Sequence, residues 1–202
     1  MIRRFGEAAL LVELESADQA QALAGSLRDD SPAEMVECVP GLRSLLVELD
    51  PLTADAERVS RLIERRLVDL EALPANGRLH TIPVTYDGPD LEAVAELTGL
   101  AVSEVVARHA SAELRVLFCG FAPGFAYLGD LPPELRVGRL ATPRTRTPPG
   151  SVAIAGSMSA IYPADLPGGW RIIGHADVVL FDPRSDRPAL LEPGDRVRFE
   201  PA

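Results

Sequence analysis

Lysine is absent from this chain: all 20 basic residues are arginines. That removes Schiff-base chemistry, biotinyl or lipoyl attachment, a serine–lysine amidase and the P-loop lysine. Any ATP handled here must be held by another device. Cysteine is nearly as scarce. Cys38 and Cys119 lie far apart and outside any Cys-x-x-Cys pair, so thiolate-metal and redox motifs are excluded and both read as buried thiols. The histidines His80, His109 and His175 show neither His-x-x-x-His nor His-x-His spacing, so no metal site is expected. Each reads as structural: His80 beside a strand, His109 at a helix end, His175 in a turn. A Gly-x-Ser-x-Gly elbow is missing too. Ser157 and Ser159 flank Met158 with no base near them in sequence. No catalytic residue is assigned, and the chain alone does not read as a hydrolase. No apolar run approaches ~18 residues. Met1 leads into folded-looking sequence without a signal-peptide pattern. A cytoplasmic location is the expectation.

What is present is an ordinary globular composition. Apolar residues make up 47% of 202, and the formal net charge is −10. An acidic surface repels phosphate backbones and anionic lipids, so neither nucleic acid nor membrane is an expected partner.

Periodicity divides the chain in two. Residues 8–14 read as a strand, and Ser16 caps a helix over 17–27 with Ala20, Leu23, Ala24 and Leu27 on one face. Residues 34–39 and 43–49 are β-rich runs around the Pro40-Gly41 turn. Thr53 is expected to cap a longer helix whose buried stripe is Val59, Leu62, Ile63, Leu67 and Leu70, and residues 78–85 to close this half as a strand. The order β-α-β-β-α-β is the ferredoxin-like one. Domains are therefore expected at 1–87 and 88–202, in an α+β chain. In the second half Asp90 and Ser103 look like helix N-caps, with Gly99 ending the first helix. Runs at 115–118, 151–155, 171–173, 178–181, 189–191 and 196–199 fit the short strands of a barrel or sandwich.

Three clusters stand out. Gly120-Phe121-Ala122-Pro123-Gly124-Phe125-Ala126-Tyr127-Leu128-Gly129 interleaves glycine with aromatics. It can wall a pocket or anchor a partner, or simply pack as a buried loop. Pro143-Arg144-Thr145-Arg146-Thr147-Pro148-Pro149-Gly150 sets arginines at i and i+2, on one side if extended. Such a pair can hold a carboxylate or phosphate, or belong to a solvated loop. Ile161-Tyr162-Pro163 and Leu166-Pro167-Gly168-Gly169-Trp170 present the sole tryptophan from a sharp turn, either into the core or into a pocket.

The segments from Phe118 to Leu128, Thr142-Pro143-Arg144, Pro149-Gly150-Ser151-Val152-Ala153-Ile154-Ala155-Gly156, the Tyr162 and Trp170 motifs, and Leu191-Glu192-Pro193-Gly194-Asp195-Arg196-Val197 resemble, in this order, the carboxyltransferase C/D family. That family includes the B subunit of 5-oxoprolinase and the kinase A inhibitor of sporulation, and its members are often labelled allophanate hydrolase subunit 1. The resemblance implies a cyclophilin-like β-barrel for 88–202. It implies a homologous C subunit of 5-oxoprolinase as partner, in a heterodimer or heterotetramer, and an A subunit. Together these open 5-oxo-L-proline to L-glutamate using ATP, with no cofactor assigned to this chain itself. The alternative it implies is an inhibitor that binds a sensor histidine kinase. The expected substrate-binding residues are Arg144, Arg146, Tyr162, Trp170, Gly124 and Phe125; Phe121, Pro123, Tyr127 and Leu128 are expected to meet a partner. Ser157-Met158-Ser159 stands where many relatives carry Gln-Thr, which leaves substrate identity open.

Overall fold

The computed structural model describes residues 1–68, 70 and 77–202. The chain forms two compact units, Met1–Asn76 and Gly77–Ala202.

The first unit contains β1 (Ile2–Arg4), β2 (Ala9–Glu13), α1 (Ala17–Asp29), β3 (Met35–Pro40), β4 (Ser44–Leu49) and α2 (Ala56–Val68). Ser16 Oγ accepts the Gln19 N–H at 3.2 Å, so α1 starts where its cap predicts. Its Ala20, Leu23, Ala24 and Leu27 face is buried in one core with Cys38 of β3 and Leu45 and Val47 of β4, the strands it packs on. The α2 cap is Asp55, not Thr53: the Asp55 carboxylate accepts from both Glu57 and Arg58 N–H. A carboxylate outcompetes a hydroxyl there because it also complements the helix dipole. The four strands are antiparallel in the order β1-β2-β4-β3. The edge beside β2 is filled by β1, not by the strand expected to close a ferredoxin-like sheet.

That strand, β5 (Leu79–Val84), belongs to the second unit. It lies parallel to β13 (Arg196–Pro201), with Ile82 and Val84 in the second unit's core. Local pattern marks a strand but not its partner, and the pairing here is with residues more than a hundred positions away. Between them come α3 (Leu91–Thr98), α4 (Val102–Ser111), β6 (Glu113–Cys119), β7 (Ala126–Gly129), a 3-10 turn at Pro133–Leu135, β8 (Arg144–Thr147), β9 (Ser151–Ala155), β10 (Met158–Ile161), β11 (Leu166–Gly168) and β12 (Arg171–His175). The runs at 178–181 and 189–191 form no strand; one bridge, Phe181 to Ala189, joins them.

Seven strands make one sheet in the order β12-β9-β10-β7-β6-β13-β5. Its two edges meet. Thr85, just past β5, exchanges backbone hydrogen bonds of 2.9 and 2.8 Å with His175 of β12. The chain then runs on along β12, with Gly88 and Asp90 N–H donating to Ile173 and Ile172 carbonyls. A Cβ at Gly88 would lie 2.4 Å from the Ile172 oxygen, so only glycine permits this approach. The result is a mixed α/β unit with a nearly closed, barrel-like sheet.

Candidate functional site

Strand alternation gives this sheet two differently populated faces. Val152, Ile154, Ile161 and Leu128 join Val94 and Val105 of the helices in the larger core. Ala153, Ala155 and Ala160 point the other way, under Phe125, Tyr162, Trp170 and Ile172. Small alanines on this second face leave room for large rings. Phe125 is the hub: its ring lies 5.3 Å from Tyr162, 6.2 Å from Trp170 and 4.9 Å from Tyr127. Strands β8 and β11 pair antiparallel as a separate two-stranded sheet beside this cluster, with Leu166 packed against it.

Of the residues expected to bind substrate, Phe125, Tyr162 and Trp170 are brought together, but as buried core. Gly168 sits directly over the Tyr162 hydroxyl, where a Cβ would come within 2.2 Å. Burial raises the Tyr162 phenol pKa, while a hydrogen bond with Thr147 and the nearby Arg139 and Arg144 charges lower it. Gly124 takes a left-handed φ of +80° and backs onto Phe181, where a Cβ would lie 2.8 Å from the Phe181 Cβ.

The two arginines do not form an open fork. Arg144 donates to both oxygens of Asp90 at 2.7 and 2.8 Å, and to the Trp170 carbonyl at 3.3 Å. Asp90 also accepts the Ile172 N–H at 2.7 Å. Asp90 therefore precedes α3 without capping it through its side chain. Arg146 pairs at 2.5 Å with Asp165 on the surface, and this contact raises its pKa and lowers that of Asp165. Both guanidinium groups already hold carboxylates of this chain.

Among residues expected to meet a partner, Phe121 is 59% exposed, with a left-handed φ of 75° rare for a bulky residue. Pro123 is exposed and Tyr127 half-buried. Leu128 is fully buried in the larger core, so it cannot face a partner. It alternates with Tyr127 on β7, which assigns it the opposite face.

Ser159 does have a base beside it, from a distant element. His109 of α4 places Nε2 3.0 Å from Ser159 Oγ, while its Nδ1 is 2.8 Å from the Tyr86 hydroxyl. Ser159 donates to the Ala153 carbonyl at 3.1 Å, so His109 must supply the Nε2–H and accept from Tyr86 at Nδ1. Ser159 and His109 are both wholly buried, and desolvation holds the His109 pKa down to about 3. The pair reaches no solvent and reads as a core linkage. Sequence spacing carries no signal for it: Ser159 and His109 are 50 residues apart.

A further polar joint ties β5 to the turn before β13. Asp195 accepts the Arg78 N–H at 2.8 Å and lies 3.0 Å from His80 Nε2. The Cys119 thiol pKa is pushed up to about 11, chiefly by burial. Among the described residues no cluster of three potential metal ligands occurs, and no helix is long and apolar enough to cross a membrane.

Residues 1–191 match the family described as carboxyltransferase domain, subdomain C and D. The chain is similar to the B subunit of 5-oxoprolinase from Escherichia coli O157:H7, 43% identical over 97% of this chain and 93% of that protein. It is similar to the B subunit of 5-oxoprolinase from Bacillus subtilis strain 168, 34% identical over 98% of this chain and 91% of that one. Among solved structures it is similar to the crystal structure of TTHA0988, with a TM-score of 0.85 and 36% identity. That match covers 100% of this chain but 40% of the longer TTHA0988 chain.

Proposed function

We propose a function on the premise that this chain belongs to the carboxyltransferase family, subdomain C and D: it serves as the B subunit of a 5-oxoprolinase. The observation that carries this is the near end-to-end match to the Escherichia coli protein, 43% identical and covering 93% of its length. The reaction is the ring-opening hydrolysis of 5-oxo-L-proline to L-glutamate, with ATP consumed by the assembled subunits.

A lactam carbonyl is stabilised by its nitrogen. Opening it needs carbonyl activation, an attacking oxygen and proton transfer to the leaving nitrogen. This chain supplies no lysine, and its serine–histidine pair is sealed in the core. It therefore contributes part of a site that a homologous C subunit and an A subunit complete. Exposed Phe121 and Pro123 supply apolar surface for such a contact. In this reading the barrel is of the cyclophilin type, and its aromatic face is the side on which the shared site is assembled. Asp90 and Arg144 act as positioning residues that hold Trp170 and β12 beneath it.

The test is ATP-dependent glutamate release from 5-oxo-L-proline by the three subunits, each omitted in turn. Release is expected from the full set only. Hydrolysis by this chain alone would overturn the subunit reading, and none from the full set would overturn the substrate.

A further inference from the structure

We propose that Arg139 and the Tyr127 hydroxyl form a carboxylate-binding subsite at the open margin of the aromatic face. The identity of the ligand, a small cyclic amide bearing a carboxylate, rests on the 5-oxoprolinase reading; the subsite itself does not.

Carboxylate recognition calls for a cation that is not already neutralised. Arg144 and Arg146 are occupied by Asp90 and Asp165. Arg139 is exposed, and among the described residues no hydrogen bond or ion pair engages it. Its backbone is nonetheless fixed. Leu140 N–H donates to the Gly169 carbonyl at 2.7 Å, and Arg171 Nε donates to the Gly138 carbonyl at 3.0 Å. These two bonds pin 138–140 against the chain around Trp170. A Cβ placed on Gly169 would lie 3.8 Å from the Arg139 Cβ, so Gly169 adds no side chain to crowd it.

The neighbouring surface suits the other end of such a ligand. Tyr127 stacks on Phe118 at 4.2 Å and meets Trp170 edge-on at 5.9 Å. Its ring is half-buried, and among the described residues its hydroxyl has no hydrogen-bond partner. The Arg139 charge reaches this phenol: it opposes the upward push of burial on both Tyr127 and Tyr162. A carboxylate placed there would accept from a guanidinium and a phenol O–H, and a flat ring could lie against the half-buried Tyr127 and Phe118 rings.

Trp170 is the sole tryptophan, so its fluorescence reports on this place in the full chain. Titration with 5-oxo-L-proline is expected to give a saturable change, and 2-pyrrolidinone, the same lactam without the carboxylate, none. Glutarate serves as a carboxylate without a lactam. Arg139→Ala should raise the dissociation constant at least about tenfold, and Tyr127→Phe about three- to tenfold. Arg139→Lys should recover only part, because lysine lacks the planar fork. Arg139→Ala should also move the Tyr127 phenol titration to higher pH while leaving the melting temperature unchanged, which reports the contact without any ligand. Unchanged binding in Arg139→Ala, equal binding of 2-pyrrolidinone, or no saturable response to either carboxylate would overturn the subsite. Arg139-dependent binding of glutarate without binding of 5-oxo-L-proline would uphold the subsite and sink the substrate reading.

Discussion

Asp90 accepts three hydrogen bonds from two directions, two from the Arg144 fork and one from the Ile172 N–H. A carboxylate this well satisfied, with little solvent around it, fastens the start of α3 to β8 and β12. Removing either partner leaves the other charge stranded. Asp90→Ala and Arg144→Ala should each lower stability by about 2–3 kcal/mol, read from urea midpoints. Arg144→Lys should recover little, since an ammonium cannot bond both oxygens in one plane. Arg146→Ala should leave the midpoint where it is, because its pair with Asp165 is solvated. Equal losses at 144 and 146 would refute this division. The i, i+2 spacing of the arginines is plain in the sequence, but their partners lie 54 and 19 residues away. Which arginine is structural depends on those partners, and so does the availability of Arg139. Spacing alone does not reveal that both arginines are paired with carboxylates of this chain.

At the scale of elements, α4 is joined to β10 through one imidazole. Tyr86, His109 and Ser159 form a chain that ends on the Ala153 carbonyl of β9, and His109 also stacks on Phe199 of β13 at 4.7 Å. His109 is neutral in the fold, with a pKa of about 3, against about 6.5 in an unfolded chain. Between those values the unfolded chain binds a proton that the folded chain does not. Stability is therefore unaffected above about pH 6.5 and falls as pH drops from there towards 3. At about 1.4 kcal/mol per unit, His109 alone should lower stability by about 2 kcal/mol at pH 5. Urea unfolding of the wild type and His109→Gln at about pH 5 and 7.5 isolates this contribution; equal pH dependence in both would refute it. Ser159→Ala leaves the Nε2–H buried without its acceptor and should cost about 1–3 kcal/mol. The helix α1, the strand β9 and the Gly99 stop of α3 are all legible in the sequence, because local period and capping chemistry decide them. Ser103 is not a cap: α4 starts after Ala101, whose N–H is taken by Glu104. Strands β8 and β11 carry no local signature, because one is polar and the other centres on Pro167, so only their mutual pairing makes them strands.

For the whole molecule, the informative element is β5. Its Ile82 and Val84 look like the end of the first half in sequence, yet they fill the core of the second. On one side β13 pairs with β6 and on the other with β5, so removing β5 opens an edge of the barrel-like sheet. Removing the whole 77–87 segment also takes away Asp195's partners, the Arg78 N–H and His80, leaving a nearly buried carboxylate with only the Glu192 N–H. The closing exchange between Thr85 and His175 goes as well. Loss of two fully buried aliphatic side chains alone costs about 2–5 kcal/mol each, which is comparable with the whole stability of a domain this size. A fragment spanning 77–202 should therefore fold, with a cooperative thermal transition and dispersed amide resonances. A fragment spanning 88–202 should not, although it retains every strand expected of the barrel from sequence. Joining residues 77–87 back as a separate peptide should restore the transition in proportion to its concentration, since β5 contributes by pairing rather than by connection. A cooperative transition in the 88–202 fragment without that peptide would show that β5 is dispensable to the second unit.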